Sequence, residues 1–383
     1  MKQVTREALP PLSMYIHIPW CVRKCPYCDF NSHKAEEELP EDQYCENLIE
    51  DLKQSLEWVQ DRPLQSIFIG GGTPSLFSPK AFEKILGGVE AHIPFSDNIE
   101  ITMEANPGTA EQQRFKGYRE AGINRLSIGV QSFGNEQLQA LGRIHSAEQA
   151  EKAMGMARQA GFDNVNLDLM HGLPKQSVAA AKVDLQRAIA LEPEHLSWYQ
   201  LTIEPNTEYF KRPPQLPIDD DLAEIQIQGQ HYLAEHGFAQ YEVSAYSRGK
   251  QSRHNLNYWR FGDYLGLGAG AHSKISKDEQ IHRFWKTRLP AHYQDKSKQY
   301  TAGSEVIEGE QLALEFMMNA LRLTDAFDLS LFETRTYLQL STIEDKLKQL
   351  EAQGLITRSN GQLQTTELGQ RFLNNTIAAF MPD

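Results

Sequence analysis

The densest chemistry in this sequence lies in residues 14–33, MYIHIPWCVRKCPYCDFNSH, which hold three of the four cysteines, Cys21, Cys25 and Cys28, spaced C-x3-C-x2-C. Three thiolates on one short loop can hold three irons of a [4Fe–4S] cube. The fourth iron then has no protein ligand. Its open positions can chelate a small molecule through an amine and a carboxylate, which is what reductive cleavage of S-adenosylmethionine (SAM) requires. Tyr27, between the last two cysteines, offers a ring for an adenine to lie against. A structural zinc ion is the competing reading, because C-x2-C pairs commonly hold zinc. Zinc would want a closed set of four ligands, with His17, His33 or Cys45 supplying the last.

A loop of this kind needs a scaffold, and the first two-thirds of the chain repeats one. Short apolar runs at 14–17, 66–69, 99–104, 125–128, 164–168 and 195–201 read as strands. Amphipathic stretches at 41–60, 79–91, 110–121, 147–160 and 179–190 read as the helices between them. Six such units imply a parallel sheet under covering helices, too few to close an eight-stranded barrel, so the expected fold is an open, partial (β/α)6 barrel. In such folds the chemistry sits at the C-terminal ends of the strands, where the cysteine loop follows the first.

Polar residues at the other strand ends join it. The second strand runs into Gly70-Gly71-Gly72-Thr73-Pro74, whose bare backbone lets amides and carbonyls approach a ligand. The third ends in Glu104-Ala105-Asn106-Pro107, the fourth in Gly129-Val130-Gln131-Ser132, and the fifth in Asp168; Arg143 follows in LGRIH. Glu104 or Asp168 could accept bonds from ribose hydroxyls or an ammonium, and Arg143 could pair with a carboxylate. Each alone is an ordinary rim residue; together at the mouth of one sheet they outweigh that reading.

The bulk numbers set limits. A net charge of −13, with 38 basic and 51 acidic residues, is no nucleic-acid footprint. No apolar run approaches the roughly 18 residues of a membrane span. The opening MKQVTREALPPLS lacks the apolar core of a secretory signal. Three crowded cysteines of four argue against a disulfide framework and for a reducing, cytoplasmic setting.

The cysteine loop, GGGTPS, EANPGT, GVQSF and NLDLMHGLPKQ together resemble the radical-SAM family that contains the oxygen-independent coproporphyrinogen III oxidases and the HemW haem chaperones, over residues 15 to about 272. The resemblance implies a partial (β/α)6 barrel holding a SAM-bound [4Fe–4S] cluster on Cys21, Cys25 and Cys28. It implies a SAM pocket lined by Tyr15, Tyr27, Gly71, Gly72, Thr73, Glu104, Gln131, Arg143, Asp168 and Thr202. The oxidases are similar but read C-x3-C-x2-C-x-C, whereas Phe30 stands at that last position here, and they carry a longer N-terminal segment than the 20 residues before Cys21. Both departures weigh against porphyrinogen decarboxylation. HNLNYW, residues 254–259, looks like the HNxxYW motif associated with haem in the chaperone branch. It puts His254 and Tyr258 on one face as candidates for a haem site, with His145, His171 and His272 as competing imidazoles.

The expected organisation is a barrel over 1–245, a haem-motif and glycine-rich connecting region over 246–300, and a small winged-helix-like α+β domain over 301–383. Between them, 222–236 reads as a helix and 240–246 as a strand. The last domain is read from helices at 308–323, 343–353 and 367–380 and from a hairpin of 355–359 and 362–365 around Asn360-Gly361. The expected function is haem carriage: haem, a [4Fe–4S] cluster and SAM as bound groups, and haem-acceptor proteins, such as membrane-associated respiratory enzymes, as partners. Nucleic acid is not among the expected partners, and a homodimer is left open. The alternative is an oxygen-independent coproporphyrinogen III oxidase.

Overall fold

The computed structural model describes residues 9–35, 38–108 and 112–382. Its main sheet contains β1 (Leu12–Ile18), β4 (Leu64–Gly71), β5 (Phe95–Ala105), β6 (Arg125–Gln131), β7 (Val165–His171) and β8 (His195–Gln200), the six expected strands, parallel and side by side in chain order. Two short strands in the first loop, β2 (Trp20–Cys21) and β3 (His33–Lys34), pair with each other. One edge continues antiparallel through β10 (Ala245–Ser247) and β9 (Ala239–Glu242). At the other edge β11 (Asp263–Leu267) adds a further parallel strand to β1, and β12 (His272–Lys277), β13 (Gln280–Lys286) and β14 (Thr301–Ile307) follow antiparallel, making twelve strands in all.

Parallel strands covered on both faces usually read as continuous apolar runs. These alternate instead. In β1, Leu12, Met14, Ile16 and Ile18 are buried against the helices while Ser13, Tyr15 and His17 share the other face; in β7, Val165, Leu167 and Leu169 alternate with Asn166 and Asp168. The polar face lines the inside of the curl, where Ser13 and Ser66 are 2.8 Å apart and hydrogen-bonded. Each outward Leu, Ile or Val so buried contributes about 1.5–3 kcal/mol, so the alternation fixes which face points inward. Serines at helix starts secure the covering layer: Ser78 caps Pro79–Glu90 and Ser146 makes a capping box with Gln149 at the head of Ala147–Gln159.

Several expectations need correction. The helix drawn over 41–60 ends at Gln54, because Ser55 turns into a short 3-10 segment, Leu56–Trp58. The start of the helix expected over 110–121 lies outside the described residues; Phe115–Glu120 is helical. The single strand expected over 240–246 is the β9–β10 hairpin. The glycine-rich stretch contributes β11 to the sheet itself.

The remaining chain forms a three-stranded sheet, β15 (Phe327–Asp328), β17 (Gln362–Thr365) and β16 (Ile356–Ser359), packed with helices Gly309–Ala320, Ser330–Thr336 and Glu344–Ala352 in a winged-helix-like arrangement. The last helix is broken at Phe372 into Glu367–Arg371 and Leu373–Ala378. Its core of Leu312, Phe316, Phe332, Leu347 and Leu363 is continuous with Phe261, Ile281 and Ile307 of the main sheet's side. Among the described residues no helix is long and apolar enough to cross a membrane.

Candidate functional site

The cysteine loop leaves the end of β1 and is pinned at its base by the β2–β3 pair, with Trp20 opposite His33 and Cys21 opposite Lys34. Cys28 N–H donates to Cys25 O at 3.2 Å, tightening the turn between them. Cys21 is buried and Cys25 and Cys28 are half-buried. Burial pushes the Cys21 and Cys28 thiols up, against hydrogen bonds from Thr73 and Ser32 at Cys21 and from the Phe30 backbone and Ser32 at Cys28. The proposed fourth zinc ligands are engaged elsewhere. His17 spends both ring nitrogens, Nδ1 on Tyr15 OH at 3.0 Å and Nε2 on Asn31 O at 2.8 Å. His33 Nε2 meets Asn31 Oδ1, and Cys45, on the buried face of the helix Glu41–Gln54, donates to Ala81 O. Among the described residues no three His, Cys, Asp or Glu side chains converge on a point as a single ion would need. A cube puts each thiolate on its own iron and asks for no such convergence.

The three thiols face a cavity of about 380 Å3 that is also lined by Tyr27, Gly71, Gly72, Thr73, Glu104, Gln131, Arg143, Asp168 and Thr202. Sequence reasoning therefore named a set that the fold assembles. Each member has a positional reason. Gly71 has φ +114°, and a Cβ there would sit 2.5 Å from the His17 ring, so only glycine lets the strand end reach the loop. Its N–H donates to Glu104 Oε2 at 3.2 Å. Arg143 donates to Asn106 Oδ1 at 2.6 Å and Gly129 O at 3.0 Å, and its Nη1 lies 3.7 Å from Cys25 Sγ. Asp168 accepts from Ser127 Oγ and from Asn166 Nδ2, both at 2.8 Å. Gln131, at φ +68°, meets Tyr199 OH at 3.0 Å.

The electrostatics are unbalanced toward the acids. Burial, then the charge of Asp168, pushes the Glu104 carboxyl up to about 8. Burial also raises Asp168, against the hydrogen bonds of Ser127, Asn166 and Ser197. Among the described residues neither carboxyl is held in an ion pair, and the charge of Arg125 only tempers the rise at Asp168. Two carboxyls so placed favour a positively charged ligand.

Sequence reasoning missed Met170 and Tyr199, which line the same cavity, and placed Asn106 at a strand end there without giving it a role. Met170 and Tyr199 share the inward parity of Asp168 and Ser197 on their strands, and that alternation was the available signal. Tyr15 does not line this cavity. It stands in a neighbouring cleft of about 960 Å3 with His17, Tyr258, Tyr264, His272, Arg283, Trp285 and Arg288, and the two share Phe30, Gly71 and Glu104. Phe30 is 57% exposed at that junction.

HNLNYW lies on the helix Arg253–Trp259, capped by Ser252, whose side chain accepts from Asn255 N–H. Tyr258 reaches the wide cleft; His254 does not line it. The His254 ring is buried, stacked on Phe68 at 4.8 Å and met edge-on by Tyr258 at 4.5 Å. Burial and the charge of Arg125 lower it to about 3, so it is neutral at ordinary pH, and its Nδ1 has no hydrogen-bond partner. Of the competing imidazoles, His145 bonds Val130 O at 3.0 Å and His171 is buried against Trp198, while His272 opens into the cleft.

Residues 15–186 match the model of the Radical SAM superfamily, and 307–372 match that of the HemN C-terminal domain. The chain is 50% identical to heme chaperone HemW of Escherichia coli, covering 98% of this chain and 99% of the other. It is 34% identical to heme chaperone HemW of Bacillus subtilis, at 96% and 99% coverage. Coproporphyrinogen III oxidase (HemN) of Escherichia coli shares the fold, with a TM-score of 0.83 at 23% identity over 98% of this chain and 91% of that one. With this likeness running the length of both chains and the three-thiol cavity in place, the chain belongs to the HemW haem-chaperone family of the radical SAM superfamily.

Proposed function

We propose that this protein is a haem chaperone: it binds haem beside a SAM-liganded [4Fe–4S] cluster and passes the haem to acceptor proteins, respiratory haem enzymes at the membrane among them. The observation that carries the reading is the junction of the two cavities at Phe30, Gly71 and Glu104. A three-thiol pocket opens directly into a cleft large enough for a macrocycle, at the upper end of the roughly 300–1,000 Å3 typical of ligand sites.

The residues fit the groups the family implies. Cys21, Cys25 and Cys28 would hold the cluster, leaving one iron for the amine and carboxylate of SAM. A cluster so liganded supplies one-electron reduction of the bound sulfonium. The chain's own residues do the positioning. Glu104 or Asp168 takes an N–H of the iron-bound amine or the ribose hydroxyls, Arg143 pairs with a carboxylate oxygen, and Gly71, Gly72 and Thr73 offer backbone at close range. Tyr27 gives the adenine a face. Tyr15, set in the wide cleft, guards the passage between the two sites.

Haem lies in the wide cleft against Tyr258, and His254 backs that ring and orients the haem-binding wall. The three-part division at residues 245 and 300 belongs to this proposal too, as does a cytoplasmic setting. The test is a pair of anaerobic assays on the reconstituted, reduced protein. A Soret titration with haem should saturate, and the loaded protein should transfer haem to an apo-acceptor. With coproporphyrinogen III and SAM it should form no decarboxylated porphyrin above a control lacking protein. Decarboxylation with no haem binding would make the chain an oxidase instead.

A further inference from the structure

The wide cleft carries an imidazole that makes no hydrogen bond among the described residues, His272. We propose that His272 ligates the iron of haem held in this cleft and that Arg288 meets a propionate; the inference rests on the haem-chaperone reading. A ligand needs a ring nitrogen with a free lone pair. The cleft has two histidines on its lining, His17 and His272. His17 has none to give: Nε2 must donate to the Asn31 carbonyl, and Nδ1 then accepts from Tyr15 OH. His254 lies behind the wall, between Phe68 and Tyr258. His272 instead opens β12 at the cleft's edge and is exposed.

Its surroundings suit a flat, dianionic macrocycle. Trp285 pairs directly across from it on β13, the rings 6.3 Å apart and 29° from parallel, and Tyr258 and Tyr264 add a T-shaped aromatic pair to the same lining. Such rings shield a porphyrin's apolar faces from water. Two guanidinium groups also face the cleft. Arg283 is already committed, bidentate to Glu315 at 3.1 and 2.5 Å and 3.7 Å from Glu305. The Arg288 side chain is exposed and has no ion-pair partner among the described residues, which leaves it for an incoming carboxylate. Binding is then a dative bond from one ring nitrogen to ferric iron, with the proton kept on the other nitrogen and no electron transferred. An exposed, single-imidazole ligand also suits a carrier, since an acceptor's own ligand can displace it.

The test uses the full-length, cluster-loaded protein and ferric haem, followed by Soret and electron paramagnetic resonance spectra. His272→Ala should lose the imidazole-ligated signature and weaken binding by about tenfold or more, roughly one lost ligand interaction. Added imidazole should restore the wild-type spectrum, which a merely structural loss would not allow. Arg288→Leu should weaken binding with the iron spectrum unchanged, and the iron–sulfur absorbance of all variants should match the wild type. A His272→Ala spectrum identical to wild type while His254→Ala abolishes the signature would overturn the assignment and leave the chaperone reading standing. Wild-type protein that binds no haem at all would sink both.

Discussion

Glu104 is the residue whose protonation decides most at the SAM pocket. Its carboxyl, at about 8 in the free protein, is largely protonated near neutrality because burial and Asp168 both oppose its charge. The sign follows from linkage. A carboxyl whose folded value is raised contributes stability that is complete below its unfolded value, and that is lost as pH rises toward about 8. The sulfonium charge of SAM works the other way, drawing the group into its charged form. SAM binding near pH 7 should therefore release a proton from Glu104, beyond the one its ammonium loses on ligating iron, and affinity should climb between about pH 6 and about pH 8. Calorimetry in two buffers of different ionisation enthalpy measures that proton directly. Glu104→Gln should bind SAM about 1.5–3 kcal/mol more weakly and release about one proton fewer, with a shallower slope; an unchanged proton count in the variant would show that another group is responsible. The cysteines divide as sharply. Cys21→Ser, Cys25→Ser and Cys28→Ser should each lose the iron–sulfur absorbance after reconstitution. Cys45→Ser should keep it, because that thiol is buried in the core and hydrogen-bonded to Ala81 O.

At the scale of elements, a buried chain of hydrogen bonds joins the SAM pocket to the haem-motif helix. Asn166 Nδ2 donates to Asp168 Oδ1 and Ser127 Oγ, which turns Asn166 Oδ1 toward His195 Nδ1 at 2.6 Å. His195 Nδ1 must then carry the proton, and Nε2 accepts from Tyr241 OH at 2.7 Å. Tyr241 in turn accepts from the N–H of Ser252, the residue that caps Arg253–Trp259. Tyr241→Phe strands an acceptor and a donor in the interior, so it should cost about 1–3 kcal/mol in urea unfolding. It should also weaken haem binding, since the cap holds the helix that carries Tyr258; full haem affinity in the variant would confine the chain to a structural role. The six central strands were legible because their apolar runs are strong and regularly spaced. β11 was not, because Gly266 and Gly268 read as a loop. A Cβ at Gly266 would sit 2.1 Å from His272 O, and Gly268, at φ +101°, passes so close to His17 O that a Cβ would sit 2.4 Å from it; the glycines are there for close approach within a sheet. The β9–β10 hairpin was missed because Val243-Ser244 carries no Gly, Asn or Asp, the residues that mark a two-residue hairpin turn. The cavity itself was legible because its residues end strands, a position fixed by topology. The depth of His254 was not, because four-residue spacing gives a face and says nothing of what covers it.

The whole molecule is tied together by charges that the sheet buries. Asp263 at the start of β11 is fully enclosed and accepts from Arg62 Nη1 at 2.7 Å, Lys274 Nζ at 3.3 Å, Ser276 N–H at 3.0 Å and Ser276 Oγ at 2.9 Å. Its backbone N–H donates to Pro11 O, and its carbonyl accepts from Asn257 of the motif helix. One residue, through side chain and backbone, thus joins the strand β1 region, the segment before β4, β12 and the haem-motif helix. A second enclosed pair, Lys286 with Asp51, fastens β13 to the first covering helix, with Tyr293 OH on the other carboxylate oxygen at 2.7 Å. Such pairs add little beyond what an apolar replacement of both partners would give, but removing one partner strands buried charge, at about 3–5 kcal/mol. Asp263→Asn leaves Arg62 and Lys274 facing a neutral group in the interior. It should therefore lower the melting temperature of the entire chain in one cooperative step, because the core around Phe261, Ile281 and Phe316 links the sheet to the C-terminal helices. Calorimetry would show this directly. A variant that melts in two separated transitions, with the C-terminal part unaffected, would mean that the shared core is too weak to couple the two and that Asp263 steadies only the barrel edge.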